Sequence, residues 1–303
     1  MNAPDAFVPH HALVSAPSAA PARWMLVLHG IFGSGANWRT FVRRLAEAQA
    51  TGGAPGAPGP AARPWGFILV DLRAHGLSQS PPAPHTIAAA ADDLLRLGDR
   101  LGLDIRGVMG HSFGGKVALA YLDRRRAGPT EPTEIERGFI LDVDPSARPA
   151  GESGSESPGV LELLRAIPQP IASREAFLEA VQAAGFSRGI GEWLAMNVRR
   201  EGDGFRIRLD LDVLNDLLTD YFARDLWHVL EEPPAPAGAG VEARRLHVVL
   251  GGRSASVSPE SRARFEALAA RAPWLSVHVL PRAGHWLHAD DPDGLFDAIR
   301  AAL

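Results

Sequence analysis

Residues 110–116 read Gly-His-Ser-Phe-Gly-Gly-Lys, and they lie where an apolar strand gives way to a helix. The run Ile-Arg-Gly-Val-Met precedes them, and the helix-forming run Val-Ala-Leu-Ala-Tyr-Leu follows. A strand-to-helix turn this tight leaves no room for Cβ atoms beside its central residue, and Gly110 and Gly114 have none. The pattern therefore predicts that the turn displays the hydroxyl of Ser112 at the top of a sheet, as a nucleophile.

The same pattern also occurs by chance in ordinary strand-to-helix connections, and this chain has 31 glycines. A nucleophilic serine further requires a histidine that accepts its proton and a carboxylate that orients the histidine. His285 follows the last predicted strand, in Pro-Arg-Ala-Gly-His-Trp-Leu-His at 281–288. It should project at the carboxyl edge of the sheet, beside Ser112, and we predict it to be the general base. We place His288 beside or below the site.

The orienting carboxylate has two candidates, both at the end of one strand. In many folds with this turn the acid follows the next-to-last strand, which here leads into Gly-Gly-Arg-Ser-Ala-Ser-Val-Ser at 251–258, a loop without an acid. The strand after the nucleophile helix instead ends in Phe-Ile-Leu-Asp-Val-Asp-Pro at 139–145. We predict that Asp142, which is nearer the sheet, is the acid, and that Asp144, before a proline, is a turn residue.

Acyl chemistry also needs hydrogen-bond donors for the oxyanion of a tetrahedral intermediate. A glycine-rich turn, His-Gly-Ile-Phe-Gly-Ser at 29–34, follows the first strong strand and can face the serine with its backbone amides. We predict an oxyanion hole made by the amides of Ile31 and Phe113, with Phe32 as the alternative second donor. Taken alone, the turn at 29–34 has a plain structural interpretation, and only its pairing with the serine turn favours the functional one.

Apolar runs without polar alternation predict strands that are buried on both faces of a parallel sheet. Segments of helical period alternate with these runs, which predicts a doubly wound α/β fold with a mostly parallel sheet. The strands are expected at 24–28, 67–70, 108–109 with its flanks, 139–141, 246–250 and 277–280, and the helices at 36–50, 86–102, 112–127, 259–272 and 292–303.

A second region interrupts this alternation. Residues 160–230 contain several helical runs and no parallel-strand run, which indicates a helical lobe inserted into the α/β domain. We therefore predict a core of residues 1–148 and 239–303 and a helical cap of residues 149–238. Stretches rich in Pro, Gly, Ser or Ala predict surface loops at 51–64, 128–134, 149–158 and 231–240.

The cap should cover Ser112, because an insert after the acid strand emerges at the carboxyl edge of the sheet. Its large apolar side chains exceed what a small lobe needs for its own packing, so some should form the acyl-binding wall; alternatively they only attach the lobe to the core. The group comprises Phe186, Trp193, Leu194, Met196, Leu214, Leu218, Tyr221, Phe222 and Trp227. As substrate contacts we predict Trp193, Phe222 and Trp227 from the cap and Phe32 and Trp286 from the core.

Other polar residues in these motifs have structural interpretations. We expect His75 to make structural hydrogen bonds near the catalytic edge and not to belong to the triad. Lys116, the only lysine in the chain, could be a charge partner inside the nucleophile helix, but we interpret it as a surface residue of that helix. The acids Asp290, Asp291 and Asp293 precede a helix, where carboxylates are common, and we infer no metal from them.

Composition excludes several classes of protein. The 303 residues contain no cysteine, which excludes disulfides, thiolate-bound metals and a cysteine nucleophile. The formal net charge is −4 with scattered arginines, which argues against a nucleic-acid partner. No apolar run is long enough to cross a bilayer, and the N-terminal residues do not have the pattern of a signal peptide, so we expect a cytoplasmic location.

Five motifs, in this order, resemble the α/β-hydrolase superfamily, and within it a subgroup of small bacterial serine esterases with a mitochondrial relative: residues 29–33, 71–78, 110–116, 251–258 and 283–290. The likeness covers most of the predicted core. In that subgroup the acid follows the strand after the nucleophile helix, which agrees with Asp142.

The resemblance implies that the chain hydrolyses carboxylic esters of short to medium acyl length through an acyl-enzyme, without a cofactor, and that its partner is a small-molecule ester. It predicts no oligomeric state. An acyl-CoA thioesterase would use the same triad, and arginines clustered at the mouth of the cap would favour it. A non-catalytic ligand-binding protein on this fold usually lacks a triad member, and none is missing here.

Overall fold

The computed structural model describes residues 7–17, 20–50, 63–127, 135–149, 156–234 and 244–303. The strands of this part are β1 (His11–Val14), β2 (Arg23–Leu28), β3 (Trp65–Val70), β4 (Ile105–His111), β5 (Arg137–Leu141), β6 (Val198–Glu201), β7 (Gly204–Ile207), β8 (Arg245–Gly251) and β9 (Leu275–Leu280). The helices are α1 (Arg39–Ala50), α2 (Ile87–Leu101), α3 (Phe113–Ala127), α4 (Ser157–Ala166), α5 (Arg174–Ala183), α6 (Arg188–Leu194), α7 (Leu211–Ala223), α8 (Trp227–Glu231), α9 (Pro259–Ala269), α10 (Leu287–Asp290) and α11 (Pro292–Arg300).

Seven strands form the central sheet, in the order β1-β3-β2-β4-β5-β8-β9. All neighbours are parallel except β1, which pairs antiparallel with β3 at the edge. From β2 the chain first moves to β3 on one side and then returns to β4 on the other, so the carboxyl ends of β2 and β4 define the point where the order reverses. Ligands of open α/β sheets bind at such a point.

Both faces of the inner strands are buried, which is why these strands have no polar alternation. Val108 and Ile140 belong to a core shared with α2, α3 and α9, whereas their neighbours Met109 and Leu141 belong to a second core shared with α1 and α11. Helices therefore cover the sheet on each side. The predicted doubly wound, mostly parallel α/β fold is confirmed.

Every strand and core helix expected from the sequence is present, with bounds shifted by a few residues. Two features were not anticipated: the short edge strand β1, and the hairpin of β6 and β7, which forms a separate two-stranded sheet. Strands of only four residues carry too little pattern to be recognised. The predicted loops at 51–64, 128–134, 149–158 and 231–240 lie wholly or partly outside the described residues.

Helices α4–α8 and the β6–β7 hairpin lie between β5 and β8, where the sequence predicts a cap. Leu214 and Leu217 of α7 and Leu161 and Leu164 of α4 are buried and belong to the same core as α2 and α3. This packing attaches the inserted helices to one layer of the α/β body. Among all the residues that the structure describes, no helix is both long and apolar enough to cross a membrane.

Candidate active site

Ser112 lies on a sharp turn between β4 and α3. Its φ is +53°, a left-handed value that is strained for a residue with a side chain. A Cβ on Gly110 would lie 2.1 Å from the carbonyl oxygen of Gly114, and a Cβ on Gly114 would lie 2.5 Å from the carbonyl oxygen of His29. Only glycine fits at these two positions, as the sequence pattern predicts.

The imidazole of His285 lies between Ser112 and Asp142. Its Nε2 is 3.0 Å from Ser112 Oγ, and its Nδ1 is 2.7 Å from Asp142 Oδ2. When Nδ1–H donates to the buried carboxylate, Nε2 keeps its lone pair toward the serine hydroxyl and can accept a proton from it. The structure thus brings together the three side chains that the sequence predicts as a triad, from the ends of β4, β5 and β9.

The carboxylate of Asp142 is fully buried and accepts two hydrogen bonds besides that of the histidine. The amide of Gly251 donates to Oδ1 over 2.8 Å, and the hydroxyl of Ser254 donates to Oδ2. Gly251 is the last residue of β8, and Ser254 lies in the acid-free loop that follows it. The end of β8 and this loop therefore supply donors that fix the carboxylate, which comes from the neighbouring strand.

Asp144, unlike Asp142, forms its hydrogen bonds away from His285. Its Oδ1 accepts hydrogen bonds from the Ser261 hydroxyl at 2.7 Å and the Ser146 amide at 3.0 Å; its Oδ2 accepts from the Ser258 amide at 3.1 Å and pairs with Arg148 at 3.2 Å. Burial opposes ionisation, but these hydrogen bonds outweigh it and lower the pKa of the Asp144 carboxyl. Asp144 therefore ties the segment after β5 to the start of α9 and does not orient an imidazole.

The glycine-rich turn after β2 approaches the serine with its backbone. Phe32 has a φ of +63°, and its amide donates to Nε2 of His75 over 3.1 Å. Among the described residues, the amides of Ile31 and Phe113 donate to no other group. Because the amide of Phe32 already donates to His75, this geometry favours Ile31 over Phe32 as the second donor of the predicted oxyanion hole.

Two buried histidines support this turn. His29 and His75 each donate Nδ1–H to a backbone carbonyl and each accept an amide N–H at Nε2, from Leu72 and Phe32 respectively. Burial lowers the pKa of His29 to about 4 and that of His75 to about 3. Both imidazoles are therefore neutral at pH 7, and His75 has the structural role that the sequence predicts.

Acidification should destabilise the protein well before its carboxylates are fully protonated. The unfolded chain binds protons at His29 and His75 near pH 6.5, whereas the folded chain binds them only near pH 4 and pH 3. The free energy of unfolding should therefore fall between pH 6.5 and 4, by about 3 kcal/mol for each of the two histidines. Urea denaturation at several pH values measures this slope, and His75→Gln should make it shallower; equal slopes in both proteins would contradict the assignment.

A cluster of aromatic rings lies beneath the serine and its histidine. Nε2–H of His111 donates to the carbonyl oxygen of His285 over 2.8 Å, and their ring centroids are 4.7 Å apart. Burial lowers the pKa of His111 well below its usual value, and burial lowers that of His288 to about 4. His288 packs against Trp38 below the site, as expected. Nothing in the sequence pattern signalled that His111 holds the loop that carries His285.

A cavity of about 250 Å³ opens at Ser112. Three of the predicted substrate contacts line it, namely Phe32, Trp193 and Trp286, and their rings are in contact. The cap also contributes Val160, Ile190, Glu156 and Ser157, and the loop after β8 contributes Arg253, Ser254, Ala255 and Ser256. Apart from Trp193, the cap side chains that line the cavity were not singled out from the sequence, because an apolar helical residue does not reveal which neighbour it faces.

The structure places two of the predicted substrate contacts, Trp227 and Phe222, away from the cavity at Ser112. Trp227 is buried against Phe265 of α9, with ring centroids 4.6 Å apart, and its Nε1–H donates to Ser146 Oγ over 2.8 Å. Phe222 lines a separate surface groove between α4 and α7. Trp227 thus attaches the cap to the core, which is the alternative that the sequence left open. Of the nine apolar cap residues in the predicted wall, only Trp193 lines the cavity in the described structure.

The interpretation of Lys116 as a surface residue is wrong. The side chain is 1% exposed, and Nζ donates to three backbone carbonyl oxygens, those of Ser146, Tyr221 and Arg224, at 2.9, 2.7 and 2.8 Å. Its partners lie 30 to 108 residues further along the chain. Local helical pattern cannot reveal such partners.

The acidic run before α11 has separate structural roles. Asp291 caps α11 through the amide of Gly294, Asp290 accepts from the amide of Gly284 over 2.8 Å, and Asp293 pairs with Arg44 at 2.6 Å. Within the described ranges, no three His, Asp or Glu side chains are grouped so that they could hold a metal ion.

The fold, the serine turn and the serine–histidine–aspartate geometry are those of one class of enzymes. The sequence model of the alpha/beta hydrolase family matches residues 25–298, and the chain belongs to this family.

Particular relatives extend this likeness over nearly the whole chain. The chain is 28% identical to the mouse (Mus musculus) sn-1-specific diacylglycerol lipase ABHD11, over 96% of this chain and 83% of that protein. It is 25% identical to esterase YbfF of Escherichia coli, over 92% of each chain. The solved structure of a marine microorganism esterase superposes with a TM-score of 0.74 at 18% identity, covering 98% of this chain and all of that one, which shows the shared fold. These relatives agree with the resemblance drawn from the five motifs.

Proposed function

We propose that this alpha/beta hydrolase cleaves carboxylic esters of short to medium acyl length by forming an acyl-enzyme on Ser112. That it is a carboxylic ester hydrolase agrees with its family and with the lipase and the esterase among its relatives. The observation that carries the mechanism is the position of the His285 imidazole, which is within hydrogen-bonding distance of both Ser112 Oγ and Asp142 Oδ2. A buried carboxylate, an imidazole hydrogen-bonded to it and a strained serine turn have no comparable use in a structural core.

In the proposed reaction, His285 Nε2 takes the proton of Ser112 as Oγ attacks the ester carbonyl. The amides of Ile31 and Phe113 donate to the oxyanion of the tetrahedral intermediate. His285 then donates its proton to the departing alcohol, which leaves an ester of Ser112. Water, activated by the same imidazole, attacks this ester in turn and releases the acid and the free serine.

The size and lining of the cavity support a limit on acyl length. Its volume of about 250 Å³ lies below the roughly 300–1,000 Å³ of pockets that hold drug-sized ligands. Indole and phenyl rings bound it on the cap side and the core side. A short acyl chain can be desolvated there, whereas a long one must displace side chains or extend outside. Cytoplasmic location, the absence of a cofactor and the absence of a nucleic-acid partner remain predictions from the sequence.

The proposed activity is tested with a panel of p-nitrophenyl esters from acetate to palmitate and a parallel panel of acyl-CoAs. We expect kcat/KM to be highest for short to medium esters and to fall for longer chains. Higher kcat/KM for acyl-CoAs than for oxygen esters of equal length would favour the thioesterase alternative. An absence of Ser112-dependent turnover in both panels would favour a ligand-binding protein.

Trp193→Ala should shift the preferred acyl length upward by a few carbons. Trp193 is half-buried and contacts both Phe32 and Trp286, so removal of its indole enlarges the cavity beside Ser112. The measurement is the ratio of kcat/KM for p-nitrophenyl decanoate and butyrate. Trp227→Phe is the matched control: this tryptophan also lies in the cap but outside the cavity, and the ratio should stay at the wild-type value. An equal response of the two variants would mean that the cavity does not select the acyl chain.

A further inference from the structure

Lys116 occupies a site built from backbone carbonyls. An ammonium group has three protons, and the three carbonyl oxygens within 2.9 Å of Nζ use all of them. Nζ also lies 4.5 Å from the ring centroid of Tyr221, over its π face. The side chain is therefore held on every side by fixed partners and is neither a surface charge nor a free base.

The three carbonyls belong to the segment that leads into the cap and to the end of one cap helix. Ser146 lies where the chain leaves β5 for the cap, and Tyr221 and Arg224 lie at the carboxyl end of α7, which α8 follows. The last carbonyls of a helix have no partners within it and carry partial negative charge, which a cation from another element can neutralise. The single lysine thus caps α7 and joins its end to the outgoing segment.

This junction is directly connected to the catalytic edge. Lys116 lies in the first turn of α3, four residues after Ser112, and the Tyr221 ring lies 6.0 Å from that of Phe113, whose amide we assign to the oxyanion hole. Helix α7 packs on α4 through buried leucines, and Val160 of α4 lines the cavity. A displacement at the end of α7 is therefore transmitted to the acyl-binding wall.

The charges around Lys116 favour retention of its proton at neutral pH. The pKa of Lys116 is lowered to about 8, chiefly by burial and to a lesser extent by Arg148, while the carboxylates of Asp144, Asp225 and Asp220 act to raise it. The ammonium form predominates at pH 7 despite its burial. Burial of a charge costs free energy. The buried ammonium of Lys116 is therefore better explained by the fixed geometry that it imposes on Ser146 and the end of α7 than by a gain in stability alone.

We propose that Lys116 is a positioning residue whose ammonium holds the cap at a fixed distance from the nucleophile helix and thereby sets the acyl-chain selectivity of the site. The inference rests on the proposed function, in which the cavity at Ser112 holds the acyl chain. Lys116 acts only through the three hydrogen bonds of its ammonium group and contacts no reacting atom.

The test compares two variants. Lys116→Met keeps the length of the side chain but removes the charge and all hydrogen-bond donors, whereas Lys116→Arg keeps the charge and the donors. The readout is the ratio of kcat/KM for p-nitrophenyl decanoate and acetate, because loss of overall stability or of active fraction changes both values equally. We expect a change in this ratio of fivefold or more in Lys116→Met and a return toward the wild-type ratio in Lys116→Arg. Arg124→Met, which removes an exposed cation from the same helix, should leave the ratio unchanged.

Labelling of Ser112 by a small fluorophosphonate provides the second readout, since a small reagent does not depend on the cap wall. We expect the labelling rate of Lys116→Met to stay within about threefold of wild type. If the wild type is not labelled, the proposed function itself fails; if labelling is normal and the ester ratio is unchanged in Lys116→Met, only the role of Lys116 is overturned. Should Lys116→Met not fold, Lys116→Gln replaces it, and failure of both to fold while Lys116→Arg folds would reduce Lys116 to a stability residue and overturn the proposal.

Discussion

Ser112→Ala should lower ester turnover by about 10⁴-fold to 10⁶-fold, and His285→Ala should do the same. Serine supplies the atom that forms the acyl-enzyme, and histidine removes the proton that otherwise keeps Oγ a weak nucleophile. Because the two side chains act as one unit, loss of either should cost nearly as much as loss of both. The measurement is kcat for p-nitrophenyl butyrate in wild type, both single variants and the double variant.

The fold should persist in these variants, which separates loss of chemistry from loss of structure. Alanine keeps the Cβ of Ser112 and accepts the same backbone angles, and His285 is partly exposed. Melting temperatures within a few degrees of the wild type are expected for both single variants. A well-folded Ser112→Ala protein that retained more than a tenth of wild-type turnover would mean that another residue is the nucleophile.

Asp142→Asn should lower kcat by about 10⁴-fold, whereas Asp144→Asn should leave kcat within about tenfold of the wild type. Asparagine at 142 carries no charge to stabilise the imidazolium, and its amide group can donate to Nδ1 and thereby select the wrong tautomer of His285. Asp144 instead binds Ser146, Ser258 and Ser261.

The two variants should therefore separate activity from stability. Asp144→Asn removes a buried carboxylate from its hydrogen bonds and should lower the free energy of unfolding by about 1–3 kcal/mol, while turnover per folded molecule is largely kept. Thermal unfolding and kcat measured on the same preparations make the comparison. If turnover were lost in Asp144→Asn and kept in Asp142→Asn, the orienting acid would be Asp144 and not Asp142.

The parts of the site that follow strand ends could be predicted from the sequence. Ser112 and Asp142 come directly after the buried strands β4 and β5, and His285 lies in the loop after β9. Parallel strands bring such residues to one edge of the sheet. The glycines at 110 and 114 further specify the turn, because any Cβ there would overlap backbone atoms. These are local signals, and the structure assembles them as predicted.

The contacts of the inserted cap could not be predicted in the same way. Trp193 and Trp227 are both large apolar residues of cap helices, yet one faces the cavity and the other faces α9. The helical period shows that a face is apolar but not which neighbour it covers. The contacts of Lys116 are even harder to predict from the sequence, because its three acceptors are backbone carbonyls, which every residue type provides.

Active-site labelling tests the central claim, a serine nucleophile at the turn between β4 and α3. The protein is incubated with a slight excess of a fluorophosphonate and analysed by intact-mass and peptide mass spectrometry. We predict one adduct per chain, located on Ser112, with labelling abolished in Ser112→Ala and slowed by a competing short-chain ester. No adduct, or a stoichiometric adduct on another residue that persists in Ser112→Ala, would contradict the account.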